Sequence, residues 1–415
     1  MSGCLGKSRI LAAALGLATA VALSPQKAIA EPVFAELLHY WRSAGERAAL
    51  DVVAREFEAR GGEWSETVEN SSTLVREQAR NRVVAGFPPT AIHGTSGHEI
   101  QDWAELGIAN DLSGIAAEGG WSEVMPPQLI DQISVDGKVV VLPMNIHGLN
   151  WGWYNAAIYR ELNLDLPHSW EEFFAQAPII QEAGYVPLAI GRQTWQVRTL
   201  FASVLAGVGG NDFYRELFDE QSTEALASET MRRVAETMAE LRKWAKSDEP
   251  VDHWADATAQ VINGKAAVQF IGDWAKGEFF RAGKVLNEDF FCRLAPGTDN
   301  SYVVGVDVFA LGRTDDPVEL EAQSMLANVM LDPQVQLEFA QLKGAIPVRN
   351  DVDVSVLDEC AQVGLATMSV PENYLDTPHY AIPKFGNHGL INEVGEFFLN
   401  DDITVDEFMV MIASS

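Results

Sequence analysis

The side chains in this chain whose types could do chemistry are two histidines, an acid inside an apolar run, and tryptophans at the ends of apolar segments. They are His93, His147, Asp307, Trp41 and Trp274. Asp307 interrupts Val303, Val304, Val306, Val308 and Phe309, and an acid in such a run is costly to bury unless it is paired or meets a ligand. An exposed position on an edge strand is the competing reading. A carboxylate only accepts hydrogen bonds, a neutral imidazole both donates and accepts, and an indole face covers C–H surface. This is equipment for holding a small polyhydroxylated molecule. Nothing in the spacing makes it catalytic. There is no G-x-S-x-G, no P-loop and no complete dinucleotide fingerprint, and His98-Glu99 begins an H-E-x-x-H pattern that fails at Asp102. His93 and His98 have no further ligands at metal spacing, so neither a metal nor another cofactor is expected. Paired carboxylates in an aromatic cleft would serve a glycosidase, and 59 acids supply many pairs, so an exported carbohydrate-active enzyme stays as an alternative.

The elements that must position these residues start with a βαβαβ unit. Phe34 to Trp41 is strand-like, and Glu46 to Arg60 puts Ala49, Leu50, Val53 and Phe57 on one helical face before Gly61-Gly62 stops it. Trp64 to Glu69 reads as a second strand, Thr73 to Val84 as a second helix, and Thr90 to His93 as a third strand. Right-handed crossovers make such a sheet parallel, and ligands gather outside the carboxyl ends of its strands. Those ends carry Tyr40-Trp41, Asn70-Ser71-Ser72 and His93-Gly94-Thr95, which places Tyr40, Trp41, Ser72, His93 and Thr95 on one rim. Taken singly, Trp41 also fits a core position, Asn70 and Ser72 fit helix caps, and His93 fits a loop histidine. Their shared position favours the rim.

Further along, Ser169 to Glu182, Thr230 to Lys246, Asp256 to Asn263, Leu320 to Leu331, Pro333 to Leu342 and Leu390 to Leu399 read as helices. Ala266 to Ile271 and Tyr302 to Leu311 read as strands. Gly272-Asp273-Trp274 ends the first of these and presents Trp274 on a loop. Between Ser134 and Phe173, turn residues lead into the apolar run Val139 to Leu142, Pro143 removes a ladder donor where the strand should end, and Asn145 and His147 follow. Ser169 and Glu172 then make a capping box.

This order, a "DGK-strand-P" segment followed by a "W-E-E-F" helix, resembles the family 1 extracellular solute-binding proteins of ABC sugar importers, and within them the glucose/mannose-binding branch. The resemblance implies an α/β, two-lobed periplasmic-binding-protein fold with three hinge crossings, each lobe a mostly parallel sheet flanked by helices. Residues 31–143 and 308–345 would form the first lobe, and 144–307 and 346–415 the second. It implies a sugar contact at Trp274 from the "G-D-W" turn, with Trp254 as a second aromatic. Lys343 follows from Lys343-Gly344-Ala345-Ile346-Pro347-Val348-Arg349, and His379 from Pro378-His379-Tyr380-Ala381. Glu46 and Asp307 would accept from sugar hydroxyls, while Lys343, His93, His147 and His379 would donate. Tyr40 stands where the branch often has a second tryptophan, and His93-Gly94-Thr95 departs from its commoner pattern, so the exact sugar stays open. A glucose-like hexose is the leading ligand, and a small glycoside or oligosaccharide is the alternative. A polyamine would want more acids facing it. The implied partners are the transmembrane permease subunits of an importer, with the binding protein itself a monomer.

Lys7 and Arg9, the apolar run Ile10 to Leu23 and the Ala28-Ile29-Ala30 site fit an export leader over residues 1–30 and a mature chain from Glu31 in the periplasm. The run is shorter than the roughly 20 residues that span a bilayer. The leader holds three basic residues and no acid, so removing it takes the net charge from −30 to −33. Such a surface repels nucleic acid and anionic membranes, and it fits a saline habitat. Cys292 and Cys360 remain. In an oxidising compartment two cysteines most simply pair, and two separate buried thiols is the alternative.

Overall fold

The computed structural model describes residues 1, 3, 33–95, 97–377 and 389–414. The expected leader, its cleavage site and His379 lie outside the described residues. No helix among the described residues is long and apolar enough to cross a membrane.

Two sheets organise the unit Val33–Ser415. Thirteen strands are assigned among the described residues: β1 Phe34–His39, β2 Glu63–Val68, β3 Ala91–Thr95, β4 Ser134–Val135, β5 Lys138–Val139, β6 Leu142–Gly148, β7 Trp151–Asn155, β8 Val186–Leu188, β9 Ala266–Ile271, β10 Phe290–Leu294, β11 Tyr302–Leu311, β12 Ile346–Pro347 and β13 Tyr374–Asp376. The larger sheet runs β12-β6-β11-β3-β1-β2, with β13 beside the start of β11. The smaller runs β10-β7-β9-β8, and β4 and β5 form a separate hairpin through Asp136 and Gly137, both at positive φ.

The βαβαβ unit forms as its periodicity predicts, with β1 parallel to β2 and β3. Its first helix, α1 (Ala44–Ala59), is started by a capping box between Ser43 and Glu46, and it buries Ala49, Leu50, Val53 and Phe57. Each of the three larger side chains contributes roughly 1.5–3 kcal/mol by leaving water. The second helix, α2 (Ser72–Val84), is capped by Ser71, whose hydroxyl accepts from Leu74 N at 3.3 Å.

The expectation of mostly parallel sheets holds for this unit and not for the strands that cross between lobes. β11 pairs antiparallel with β3 and β6, and in the smaller sheet only β8 and β9 are parallel. β11 returns to the larger sheet in the opposite sense to β3 and β6, whereas β13, reached after several intervening helices, lies parallel to it.

Pro143 does not end the crossing strand. It lies inside β6, where the register shifts so that Asp307 faces Asn145 and Val308 faces Pro143. A bulge tolerates the missing proline donor, which a regular ladder would not. β6 stays in the larger sheet to Gly148, and the chain enters the smaller one at Trp151. Between them, the buried Asn150 donates to Thr298 Oγ1 and Ser301 O, both at 2.9 Å, and accepts from Val303 N at 2.9 Å, which ties the first passage to the second.

The helical stretch Thr194–Phe218, broken by a kink at Gly210 (φ 78), carries no readable apolar stripe in its first part because it is buried nearly all round from Gln196 to Ala206. It forms the middle of the second-lobe core with Tyr154, Phe173 and Phe397. Cys292 on β10 and Cys360 on the helix Glu359–Met368 are bonded, with an S–S distance of 2.07 Å.

Candidate functional site

The site grows from the strand ends of the larger sheet. Trp41, 1% exposed, follows β1, and its ring lies 4.2 Å from His93, 5.7 Å from Phe309 and 5.8 Å from Phe339. The half-buried Tyr40 stacks on His93 at 4.4 Å. Burial, reinforced by the nearby charge of Asp307, holds the Tyr40 hydroxyl well above its ordinary value. Lys343 ends the helix Pro333–Lys343, and its ammonium stands 5.1 Å over the Trp41 ring and 3.7 Å from Glu46 Oε1. Gly344 adopts φ +87 and lies so close to the second lobe that a Cβ there would meet Asp273 O at 2.5 Å. A residue with a side chain would disturb both the turn and this approach.

The centre of the site lies on the crossing strands. Asp307 of β11 faces Asn145 of β6 on one side and Thr95 of β3 on the other. Its Oδ2 is 2.9 Å from His147 Nε2, and its Oδ1 is 3.3 Å from His93 Nε2. His147 Nδ1 bonds Asp273 Oδ1, and Asp273 Oδ2 accepts from Gly148 N at 2.8 Å. The result is a buried chain, His93–Asp307–His147–Asp273, running from the larger sheet to the turn after β9.

Electrostatics divides the two histidines. Against the cost of burial, the carboxylates of Asp273 and Asp307 hold His147 above its ordinary pKa. His93, with one carboxylate partner, is held below its ordinary value by burial. Asp307, although buried, is held well below the carboxylate range by the charge and hydrogen bond of His147, with His93 and Lys343 adding to it. The two carboxylates thus favour the charged form of His147, and burial favours the neutral form of His93 beside Trp41 and Tyr40.

The second lobe supplies the aromatic counterwall. Trp274, half-buried, caps the helix Ala275–Arg281, with its ring 5.1 Å from His147. The ring folds back over Gly272, where a Cβ would lie 2.1 Å from it. Trp195 and Trp254 flank it at 6.1 and 6.4 Å. Three buried side chains here have polar atoms with no hydrogen-bond partner among the described residues: Trp274 at Nε1, His93 at Nδ1 and Asn145 at both amide atoms.

Of the residues expected from sequence, Tyr40, Trp41, His93, Thr95, His147, Trp254, Trp274, Asp307 and Lys343 come together here. Trp254 is the first residue of its helix (Trp254–Ile262) and is buried, rather than standing ahead of it. Glu46 is also present, but its Oε2 is held by the N–H groups of Arg42 and Ser43 at 3.0 and 2.9 Å, which leaves Oε1 for Lys343. Both ring nitrogens of His147 are engaged by carboxylates, so it orients Asp307 and Asp273 rather than presenting a free nitrogen. Ser72 begins α2 beside its cap, and Asn70 accepts from Arg42. Sequence reasoning passed over Asp273, which it treated only as part of a strand-ending turn, and Trp195, which belongs to no pattern. Among the described residues, no group of three His, Cys, Asp or Glu side chains is placed to hold a metal ion.

Residues 43–336 match the model of the bacterial extracellular solute-binding proteins. A probable sugar-binding periplasmic protein of Brucella melitensis is 36% identical over 359 residues, covering 85% of both chains. One from Rhizobium meliloti is 36% identical over 336 residues, covering 80% of both. In fold, the chain superposes with a TM-score of 0.78 and 16% identity on the bacterial solute receptor AcbH, which has an exclusive preference for β-D-galactopyranose, over 92% of this chain and 97% of that one.

Proposed function

The chain belongs to the bacterial extracellular solute-binding protein family, and on that premise we propose that it is the periplasmic sugar receptor of an ABC importer. It binds glucose or a related hexose between its lobes and delivers it to the permease. The observation that carries this reading is the buried convergence, at the crossings between the sheets, of Trp41 and Trp274 with Asp307, His93 and Lys343. Flat rings cover the C–H faces of a pyranose, and fixed acceptors and donors around them meet its hydroxyls. Glu46, Thr95, His147 and Trp254 complete the wall of the site, with Ser72 at its outer rim, and His379 is a further contact expected from the sequence resemblance. It is a binding protein, not an enzyme.

Closure follows from where these groups stand. The lobes, drawn from sequence as residues 31–143 with 308–345 and residues 144–307 with 346–415, meet at three crossings, although β6 stays in the larger sheet to Gly148 and β11 lies in it from Tyr302. A sugar held by Trp41 on one and Trp274 on the other favours the closed form in proportion to the contacts it makes only there. Residues 1–30 direct export and are removed, and the mature chain acts as a monomer.

A small glycoside is the second reading, supported by Arg198 at the edge of the site. Burial and the nearby Arg76 push its guanidinium down to about 10, and among the described residues no hydrogen bond or ion pair engages it. It offers donors to a group beyond the first ring.

The test is a thermal-shift panel on residues 31–415 with D-glucose, D-galactose, D-mannose, common disaccharides, glycerol glycosides and polyamines. Ligand at about 100 times its dissociation constant adds roughly 2.7 kcal/mol of stability. A shift with glucose that is smaller or absent with galactose supports the reading. A shift only with a glycoside selects the second, and silence across all sugars removes both.

A further inference from the structure

Asn145 is an unusual residue for its place. It lies in the middle of β6, fully buried at 0% exposure, in a strand whose other residues are mostly apolar or small. Asparagine is disfavoured in strands, and a buried carboxamide normally finds hydrogen bonds for its oxygen and its nitrogen. Among the described residues, neither Oδ1 nor Nδ2 has a partner.

The neighbours explain why no protein group satisfies it. Its β12 neighbour in register is Pro347, which has no N–H. Its β11 neighbour is Asp307, whose two oxygens are held by His93 and His147. Residues directly opposed across an antiparallel pair present side chains on the same face, so Asn145 shares the face of Asp307 and Thr95, and His147 follows two residues on. The amide is therefore buried on the Asp307 face of the sheet, next to a carboxylate that is already paired. An apolar residue of the same size would avoid the desolvation that this position imposes. A structural role for the amide would show as hydrogen bonds, and among the described residues it makes none.

We propose that Asn145 is a specificity-determining residue that reads a pair of adjacent hydroxyls on the bound sugar, accepting from one through Oδ1 and donating to the other through Nδ2. A carboxamide matches a vicinal diol because it offers one acceptor and one donor side by side in a plane. The unpartnered His93 Nδ1 and Trp274 Nε1 stand in the same site. Together they account for its three unsatisfied groups as contacts to one uncharged, hydroxyl-rich ligand. A site built to hydrogen-bond a hydroxyl rejects an analogue lacking it, because its own polar groups are then left unpaired.

The inference rests on the sugar-receptor reading, and the experiment separates the two. Calorimetric titration with D-glucose, D-galactose and the 2-, 3- and 4-deoxy analogues of D-glucose is run on wild type, Asn145→Leu and Asn145→Ala, with the melting temperature of each unliganded protein. The expected result is a loss of at least about tenfold in affinity for the sugar that wild type binds best, with a melting temperature for Asn145→Leu equal to or above wild type. At one hydroxyl, the deoxy analogue and the substitution should also cost no more together than the larger of the two alone. Leucine can overfill the site, so the alanine variant, which adds no bulk, gives the same readout if Asn145→Leu does not fold. Wild-type affinity in the variant that folds overturns the inference and leaves the receptor reading in place. Absence of sugar binding by wild type overturns both.

Discussion

Replacing Asp307 by asparagine keeps the shape of the side chain and removes the charge that links the two histidines. In the wild type, Oδ2 lies 2.9 Å from His147 Nε2 and Oδ1 3.3 Å from His93 Nε2, with the carboxylate 5% exposed. Hydrogen bonds to charged groups contribute about 1.5–3 kcal/mol each, and breaking a buried charge pair from one side costs about 3–5 kcal/mol. Asparagine keeps one acceptor, so we expect a loss of about 3 kcal/mol, which for a chain of this length is a fall in melting temperature of about 4 °C. The loss depends on pH in a definite sense. Asp307 is held below its ordinary value, so its contribution is complete above that value and disappears as pH falls through the folded pKa. His147 is held above its ordinary value, so its contribution is complete below about pH 6.5 and disappears as pH rises through the raised one. The gap between wild type and Asp307→Asn should therefore be widest between the ordinary carboxylate and histidine values, about pH 5.5, and narrow as pH rises through the raised pKa of His147, as followed by circular dichroism melts. A variant melting within about 1 °C of wild type at pH 5.5, or a gap that does not change with pH, would refute the buried charge pair.

Trp274→Ala should abolish sugar binding in calorimetry while the far-ultraviolet spectrum stays native, since the ring is half-buried at a helix start; wild-type affinity takes Trp274 out of the site. Cys292→Ser with Cys360→Ser opens a link across a sequence separation of 68, and chain entropy puts the loss at about 4 kcal/mol in denaturant titration; an unchanged midpoint contradicts it. Glu99 is pushed up to about 7 by burial, in spite of Arg76. The folded state therefore keeps a proton that the unfolded chain releases, and stability falls by about 3 kcal/mol as pH rises from 4.5 to 7. Glu99→Gln should flatten that slope, and an unaltered slope assigns it to another group.

Much of the frame was legible because its signals are local. α1 shows its apolar face in Ala49, Leu50, Val53 and Phe57, and β9 and β11 begin and end where the apolar runs do. The rim was legible because a parallel sheet sends its strand ends to one side, which is how Trp41 and His93 come to touch. What stayed hidden depends on distant partners. Pro143 reads as a terminator until a bulge against Val308 accommodates it. Thr194–Phe218 has no polar face to betray its period, and Asn145 gains meaning only when Asp307 and Pro347 are seen on either side of it. His147 reads as a donor to ligand until Asp273, 126 residues away, is found on its second nitrogen.

The most direct test of the account is isothermal titration of residues 31–415 with D-glucose, alongside the Asp307→Asn and Trp274→Ala variants. The account predicts saturation at one sugar per chain for wild type and at least about a hundredfold loss in each variant, equivalent to about 2.7 kcal/mol. Heat-silent titrations of the wild type with D-glucose and every other sugar of the panel, by a protein that is folded in circular dichroism, would contradict it.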